Sequence, residues 1–136
     1  MEKLLLIDGS SLVHRAFYAL PILSNSQGEF TNAVHGFMMM YNRAIAEHKP
    51  DYVVVCFDKK RITFRNRIDE TYKATRKETP IELRGQFELL KQVLTANNTT
   101  WEEMDDYEAD DLVGTLARAG EEAGLDVMIL SGDKHF

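Results

Sequence analysis

Three apolar runs in this chain of 136 residues each lead into an aspartate. The runs begin at Leu4, Val53 and Val127, and the aspartates that follow them are Asp8, Asp58 and Asp133. Short apolar runs separated by helical stretches are typical of buried strands in a parallel sheet. Such strands end at one edge of the sheet, where α/β proteins bind their ligands. The sequence therefore predicts an α/β fold with an acidic pocket at that edge.

The sequence between these runs predicts the helices that cover such a sheet. Thr79-Pro80-Ile81-Glu82 has the pattern of a capping box with proline at the first helical position. The resulting order, β-α-α-β-loop-α-β-α-β, together with the right-handed crossover rule, predicts a doubly wound, mainly parallel sheet with flanking helices. The predicted helices cover about residues 12–19, 32–48, 80–96 and 107–123, and a short edge strand covers 99–104.

Composition limits the class of protein. With 44% hydrophobic residues the chain can bury one core, so we expect one domain or part of one. The single cysteine, Cys56, lies inside an apolar run, which favours a core role and a reducing compartment. The apolar stretch near the N-terminus is too short for a secretory signal or a membrane span. We therefore expect a soluble cytoplasmic protein without a membrane partner.

Charge is distributed unevenly along the chain. Residues 59–77 hold eight of the sixteen lysines and arginines and two acids, a net charge of +6, whereas the whole chain carries −6. Residues 102–111 hold seven acids and no base. A basic segment can bind backbone phosphates, and an acidic pocket can hold cations at the bond being cut. This combination favours an enzyme that acts on phosphodiesters.

The acidic residues point to metal ions. Glu108, Asp110 and Asp111 open a predicted helix and would add to the strand-end aspartates. Carboxylates so close together stay ionised only if a cation compensates their repulsion, and oxygen ligands favour magnesium or manganese. Asp110 points about 100° away from Asp111 around the helix, so the group can serve two ions. The alternative is that these acids only stabilise the helix start, which leaves the strand-end aspartates unexplained.

In these residues the chain resembles the 5′ nuclease domain found at the N-terminus of bacterial DNA polymerase I and in flap endonucleases. The similarity follows the whole chain in order and spacing. The matching stretches are Leu5-Leu6-Ile7-Asp8-Gly9-Ser10-Ser11-Leu12, Arg15-Ala16-Phe17-Tyr18, Asn32-Ala33-Val34-His35-Gly36-Phe37, Phe57-Asp58, Thr63-Phe64-Arg65, Tyr72-Lys73-Ala74, Arg76, Tyr107-Glu108-Ala109-Asp110-Asp111, Gly114-Thr115-Leu116-Ala117 and Gly132-Asp133-Lys134.

The resemblance implies a PIN-like core and a metal-dependent 5′-3′ exonuclease or flap endonuclease that hydrolyses DNA by a two-metal mechanism. It implies two Mg²⁺ ions, with Mn²⁺ as a substitute. By position, Asp8, Asp58 and Lys73 would be catalytic. The implied metal ligands are Asp8, Asp58, Glu108 and Asp110 for the first ion and Asp111 and Asp133 for the second.

The resemblance also implies the partner, a DNA with a 5′ single-stranded flap or end. Lys73 and Arg76 match basic residues of a helical arch, here about residues 59–79, that binds the single strand. The implied DNA-binding residues are Arg15, Arg65, Tyr72, Lys73 and Arg76. For Tyr72, packing and base stacking are equally open, and Arg65 has a purely structural alternative.

The chain departs from the family pattern at two places. His135 stands where the family has a second aspartate, and a neutral histidine would weaken the binding of a second Mg²⁺ ion. The chain also ends at Phe136, so residues 1–136 are expected to be the N-terminal part of the nuclease domain. The later helical DNA-binding part would be absent, and polymerase domains are expected in the full-length protein. A catalytically incomplete fragment that binds nucleic acid is therefore the alternative function.

A receiver-type phosphotransfer domain is a third possibility, because it too is a small doubly wound fold with an acidic magnesium pocket. That class needs adjacent acids after the first strand, where this chain has Gly9 and Ser10. It would also leave residues 59–77 without a role. The sequence therefore favours the nuclease.

Overall fold

Four parallel strands form the central sheet of the computed structural model, which describes residues 1–59 and 80–132. The strand order is β3-β2-β1-β4, and each neighbouring pair is parallel. All four strands therefore end at the same edge of the sheet. The strands are β1 (Lys3–Asp8), β2 (Tyr52–Phe57), β3 (Thr100–Glu103) and β4 (Asp126–Leu130).

Helices cover both faces of this sheet. Alternate side chains of a strand point to opposite faces, and two separate cores result. Leu5, Ile7 and Val55 pack with the first three helices, whereas Leu6 and Cys56 pack with the fourth. The helices in the described part of the chain are α1 (Gly9–Ala19), α2 (Asn32–His48), α3 (Ile81–Ala96) and α4 (Ala109–Glu122). The predicted doubly wound fold is confirmed, and the described strands and helices follow the predicted order, whereas the predicted loop at about residues 59–79 lies almost entirely outside the described residues.

A buried polar network joins the three helices on the first face. The Gln86 side-chain oxygen accepts hydrogen bonds from the backbone N–H groups of Ala33 (2.7 Å) and Val34 (3.1 Å) at the start of α2. Its amide nitrogen donates to Asn32 Oδ1 at 2.8 Å, and the Asn32 amide donates to the Phe17 carbonyl at the end of α1. Gln86 thereby satisfies two N–H groups that a helix start leaves without intrahelical partners.

Several boundaries differ from the sequence predictions. The α1 helix begins at Gly9 rather than near Leu12, because Asp8 itself caps it. The α4 helix begins at Ala109, two residues later than predicted. Pro80 occupies the N-cap position of α3 instead of the first helical position.

The strand predicted at Val127 is present but less buried than the sequence predicted. Among the described strands β4 lies at an edge of the sheet, and its residues from Val127 to Leu130 are only partly buried. An apolar run alone does not separate an edge strand from a central one.

Some predicted site residues lie outside the described residues, namely Arg65, Tyr72, Lys73, Arg76, Asp133 and His135. Of the helices in residues 1–59 and 80–132, none is both long and apolar enough to cross a bilayer.

Candidate metal centre

The predicted carboxylates of the first two strands meet at the carboxyl edge of the sheet. Asp8 ends β1 beside Cys56 of β2, and Asp58 follows β2 directly. The direction of the strand order reverses at β1, because β2 pairs on one side of β1 and β4 pairs on the other. Open α/β sheets bind ligands at such a point of reversal.

Asp8 is the most buried of these carboxylates, with 4% of its surface exposed. Its Oδ1 accepts a hydrogen bond from the Ser11 backbone N–H at 3.1 Å, which caps α1. Burial raises the pKa of the Asp8 carboxyl above its ordinary value, while the hydrogen bond from Ser11 opposes this shift. The negative charges of Asp58 and Asp110 raise it further, so both of these carboxylates lie close enough to act on Asp8.

Asp58 connects β2 to the start of α4. Its Oδ1 accepts a hydrogen bond from the backbone N–H of Ala109, the first residue of that helix. Nearby, Asp111 Oδ2 accepts from the backbone N–H of Glu108 at 3.2 Å. Two acids thus satisfy N–H groups at the helix start, in addition to favouring its positive dipole end. Asp111 therefore does stabilise the helix start, as the alternative interpretation expected. That role does not account for the position of Asp110 near the buried Asp8.

The end of β4 is held against the start of α1. The Ser11 hydroxyl lies 3.0 Å from the Ser131 hydroxyl and accepts a hydrogen bond from the Gly132 backbone N–H at 2.9 Å. Arg15 adds a weaker contact, from Nη1 to the Gly132 carbonyl at 3.4 Å. The predicted site residue Arg15 is thereby brought to the same edge as the carboxylates.

Close backbone contacts fix the turn between β1 and α1. A Cβ on Gly9 would lie 2.8 Å from side-chain atoms of Phe57 and Val55, so only glycine lets this turn approach β2. The next residue, Ser10, is 5% exposed and accepts a hydrogen bond from the Asp58 backbone N–H at 2.9 Å. The sequence alone assigned no site role to Gly9, Ser10 and Ser11. Their position directly after a strand-end aspartate was the available signal.

The basic segment begins beside the acidic stretch. Lys59 Nζ lies 3.2 Å from Asp105 Oδ1, and the Lys59 backbone N–H donates to the Tyr107 carbonyl at 3.4 Å. Both side chains of the ion pair are about two-fifths exposed, so its contribution to stability is small. The two contacts bring the first residue of the basic segment to the loop that precedes α4.

The donor chemistry of the site fits a hard divalent cation. Asp8, Asp58 and Asp110 offer only carboxylate oxygens, the ligand type that magnesium and manganese prefer. Within residues 1–59 and 80–132, no three acidic, histidine or cysteine side chains are already grouped as ligands of one ion. The structure thus brings the acids to one edge without forming a closed ligand shell.

Comparison with known protein families gives a match over nearly the whole chain. The family described as "5′-3′ exonuclease, N-terminal resolvase-like domain" matches residues 3–136. DNA polymerase I of Bacillus caldotenax is 48% identical over 133 residues, and the 5′-3′ exonuclease of Aquifex aeolicus is 40% identical over 134 residues. Each match covers 98% of this chain. The chain spans 15% of the length of that polymerase and 46% of that exonuclease.

Solved structures with the same fold come from bacteriophage T5. A T5 protein crystallised with metal ions superposes with a TM-score of 0.61 at 20% identity. A T5 flap endonuclease in complex with DNA and metal ions gives a TM-score of 0.61 at 23% identity. Each match covers 98% of this chain and about half of the phage protein. At this identity the likeness concerns the fold.

Proposed function

The chain belongs to the family of the 5′-3′ exonuclease N-terminal resolvase-like domain, and from that membership we propose that it acts as a metal-dependent 5′ nuclease on DNA. Relatives named 5′-3′ exonuclease and DNA polymerase I support this activity. A polymerase I-type protein would carry it alongside polymerase domains. Since the DNA polymerase I relative comes from a bacterium, the bacterial cytoplasm is the proposed compartment.

The observation that carries the proposal is the convergence of Asp8, Asp58 and Asp110. These three residues come from the end of β1, the end of β2 and the first turn of α4, and the charges of the latter two act on Asp8. A sequence that only needed helix caps would not collect like charges around a buried carboxylate, because that raises its free energy. A cation bound there would reverse this cost.

Six carboxylates would hold the metal ions. Asp8, Asp58, Glu108 and Asp110 would bind the first Mg²⁺, and Asp111 and Asp133 the second. When bound, two such ions supply the charge that activates water and stabilises the leaving oxygen of a phosphodiester. Mn²⁺ prefers similar ligands and would substitute. The chain's own part is to hold one oxygen of Asp58 through Ala109 and one oxygen of Asp8 through Ser11, both at the carboxyl edge of the sheet.

The proposed DNA partner carries a 5′ single-stranded flap or end. Lys73 and Arg76 would bind its phosphates, and Lys73 would in addition offset charge on the reacting phosphoryl group. Tyr72 would stack on a base, and Arg65 would add a phosphate contact. Among the described residues, Arg15 supports this arrangement, because it contacts the Gly132 carbonyl at the carboxyl edge.

Cleavage of a 5′-labelled flap DNA tests the proposal. The chain is assayed in Mg²⁺, in Mn²⁺ and in EDTA, beside Asp8→Ala and Asp110→Asn. Asp126→Asn is the matched control, because Asp126 pairs with Lys3 at the opposite end of the strands. We expect metal-dependent cleavage that Asp8→Ala and Asp110→Asn abolish and Asp126→Asn leaves unchanged.

Two other outcomes have definite meanings. Salt-sensitive DNA binding without cleavage, weakened by Lys73→Ala and Arg76→Ala, would identify a catalytically incomplete nucleic-acid-binding protein. Cleavage that persists in EDTA or in Asp8→Ala would contradict the metal-dependent proposal.

A further inference from the structure

We propose that the adjacent hydroxyls of Ser10 and Ser11 are positioning groups that hold the ends of β2 and β4 around Asp8 and thereby set the affinity of this edge for divalent cations. This inference rests on the proposed metal-dependent function. Ser10 would hold the end of β2 and Ser11 the end of β4, and neither serine would itself bind the ion.

Ser10 acts on β2. Its buried hydroxyl oxygen accepts a hydrogen bond from the backbone N–H of Asp58 at 2.9 Å, across 48 residues of chain. This N–H belongs to Asp58 itself, so the bond fixes the backbone position from which the Asp58 side chain extends. At its other end the carboxylate is held by Ala109. Asp58 is thus fixed at its backbone and at one oxygen, and within residues 1–59 and 80–132 its second oxygen accepts no hydrogen bond.

Ser11 acts on β4. Its hydroxyl donates to the Asp8 carbonyl at 3.2 Å, so its two lone pairs remain for the Ser131 hydroxyl and the Gly132 N–H. One donor and two acceptors make this hydroxyl fully satisfied. The Ser11 backbone N–H meanwhile binds the Asp8 carboxylate at 3.1 Å. A single residue therefore connects the Asp8 side chain to the end of β4, 120 residues further along.

The hydrogen bonds made by the Ser10 and Ser11 hydroxyls are not required for capping α1. Capping of α1 requires only the Ser11 N–H and the Asp8 carboxylate, because a cap satisfies free backbone donors. Neither hydroxyl is needed for that cap, yet each reaches a different neighbouring strand end. Groups that orient metal-binding side chains typically change metal affinity about 10- to 100-fold when they are removed.

The test uses the full 136-residue chain with Mn²⁺ as the probe. Ser11→Thr and Ser11→Val form the decisive pair, because they have the same shape and only threonine keeps the hydroxyl; Ser11 is partly exposed. Ser10→Ala removes the hydrogen bond from the Asp58 N–H, and Ser26→Ala in the exposed loop is the control. Three readouts are taken: the Mn²⁺ dissociation constant by calorimetry, amide hydrogen exchange at Asp58 and Gly132, and kcat and KM on flap DNA.

We expect Ser10→Ala and Ser11→Val to raise the Mn²⁺ dissociation constant about 10-fold or more. Ser11→Thr and Ser26→Ala should stay within about twofold of the original chain. Exchange should accelerate at Asp58 only in Ser10→Ala and at Gly132 only in Ser11→Val. On DNA, kcat should fall while KM for DNA changes little, since the serines hold the metal edge rather than the strand.

Faster amide exchange with an unchanged Mn²⁺ dissociation constant would make the serines purely structural and overturn the proposal. An equal loss of affinity in Ser11→Thr and Ser11→Val would also overturn it. If the unsubstituted chain binds no Mn²⁺, the proposed function itself fails, and the serine proposal fails with it. That result appears before any serine variant is compared, so the two failures are distinguishable.

Discussion

The Asp58 carboxylate accepts a hydrogen bond from the backbone N–H of Ala109, although 51 residues separate the two. The bond connects the end of β2 to the start of α4, where Asp110 and Asp111 lie. One carboxylate therefore combines a structural task, satisfying a helix N–H, with the proposed task of metal binding. Variants that keep or remove its oxygen can separate these tasks.

Asp58→Asn should be inactive but stable, whereas Asp58→Ala should be inactive and unstable. Asparagine keeps an oxygen that can accept from Ala109, and alanine leaves that N–H without a partner. We expect Asp58→Ala to lower the free energy of unfolding by about 1 kcal/mol relative to Asp58→Asn. Urea unfolding in EDTA measures this difference, and flap cleavage should fall at least about 100-fold in both variants. Equal stabilities would contradict the structural task.

Asp8→Asn should stabilise the metal-free protein at neutral pH. Burial, and then the charges of Asp58 and Asp110, raise the pKa of Asp8 above its ordinary value of 3.8. The folded state therefore binds this proton more tightly than the unfolded state, and stability falls as pH rises from 3.8 through the raised folded pKa. Asparagine removes the ionisation and remains a good N-cap.

The pH dependence and Mn²⁺ provide the checks for Asp8→Asn. In EDTA the difference in melting temperature from the original chain should shrink as pH falls through the raised folded pKa and then below 3.8, where Asp8 becomes neutral in both states. Mn²⁺ at about 100 times its dissociation constant should stabilise the original chain by about 2.7 kcal/mol, and the variant far less. A variant that is less stable than the original chain at pH 7 in EDTA would count against a net electrostatic cost at Asp8.

Gln86→Leu should cost about 3 kcal/mol or more. The substitution leaves the buried N–H groups of Ala33 and Val34 without their acceptor, and each such group costs about 1–3 kcal/mol. Gln92→Leu is the matched control, since Gln92 is exposed on the same helix. Denaturant unfolding of both variants decides the matter. A cost of less than about 1 kcal/mol for Gln86→Leu would mean that water replaces the lost bonds.

The Cys56 thiol should not react with a disulfide reagent while the protein is folded. Burial, and then the charges of Asp8 and Glu102, raise its pKa to about 12. At pH 8 only about one thiol in ten thousand would be ionised, and the thiolate is the reactive form. Reaction with Ellman's reagent across a urea titration should follow global unfolding. Fast labelling in the absence of urea would show that β2 opens locally.

The sequence was sufficient for the strands and the acidic edge, because apolar runs and strand-end aspartates are local patterns. Asp8 and Asp58 were predicted to meet, and in the structure the charge of Asp58 acts on Asp8. The position of β4 could not be predicted in this way. Its apolar run resembles that of β2, but which strand lies at the edge depends on the order in which the strands pair.

Polar groups that join distant segments were missed for a related reason. Gln86 lies three residues after Leu83 and four before Leu90, on the buried side of α3, and this spacing was the available signal. Its partners at the start of α2 are more than fifty residues away. The ties from Ser10 and Ser11 to β2 and β4 are equally long-range. A residue's own neighbourhood in the sequence indicates that it is polar, but not which group it binds.

Gly132→Ala should destabilise the protein and weaken Mn²⁺ binding at the carboxyl edge, whereas Gly114→Ala should stabilise the protein. A Cβ on Gly132 would lie 2.7 Å from the Ser11 carbonyl carbon, a backbone atom that cannot move without shifting the start of α1. On Gly114, in the middle of α4, a Cβ meets nothing within 4 Å. Alanine there should add about 0.5–1 kcal/mol, because glycine is the poorer helix former.

Urea unfolding and Mn²⁺ affinity measured on both variants separate the two effects. For Gly132→Ala we expect a loss of about 1–3 kcal/mol from the steric clash and a weaker Mn²⁺ affinity, because Ser11 can no longer hold both Asp8 and the end of β4. For Gly114→Ala the affinity should not change. Unaltered Mn²⁺ affinity in a destabilised Gly132→Ala would show that the close contact between α1 and β4 serves folding alone.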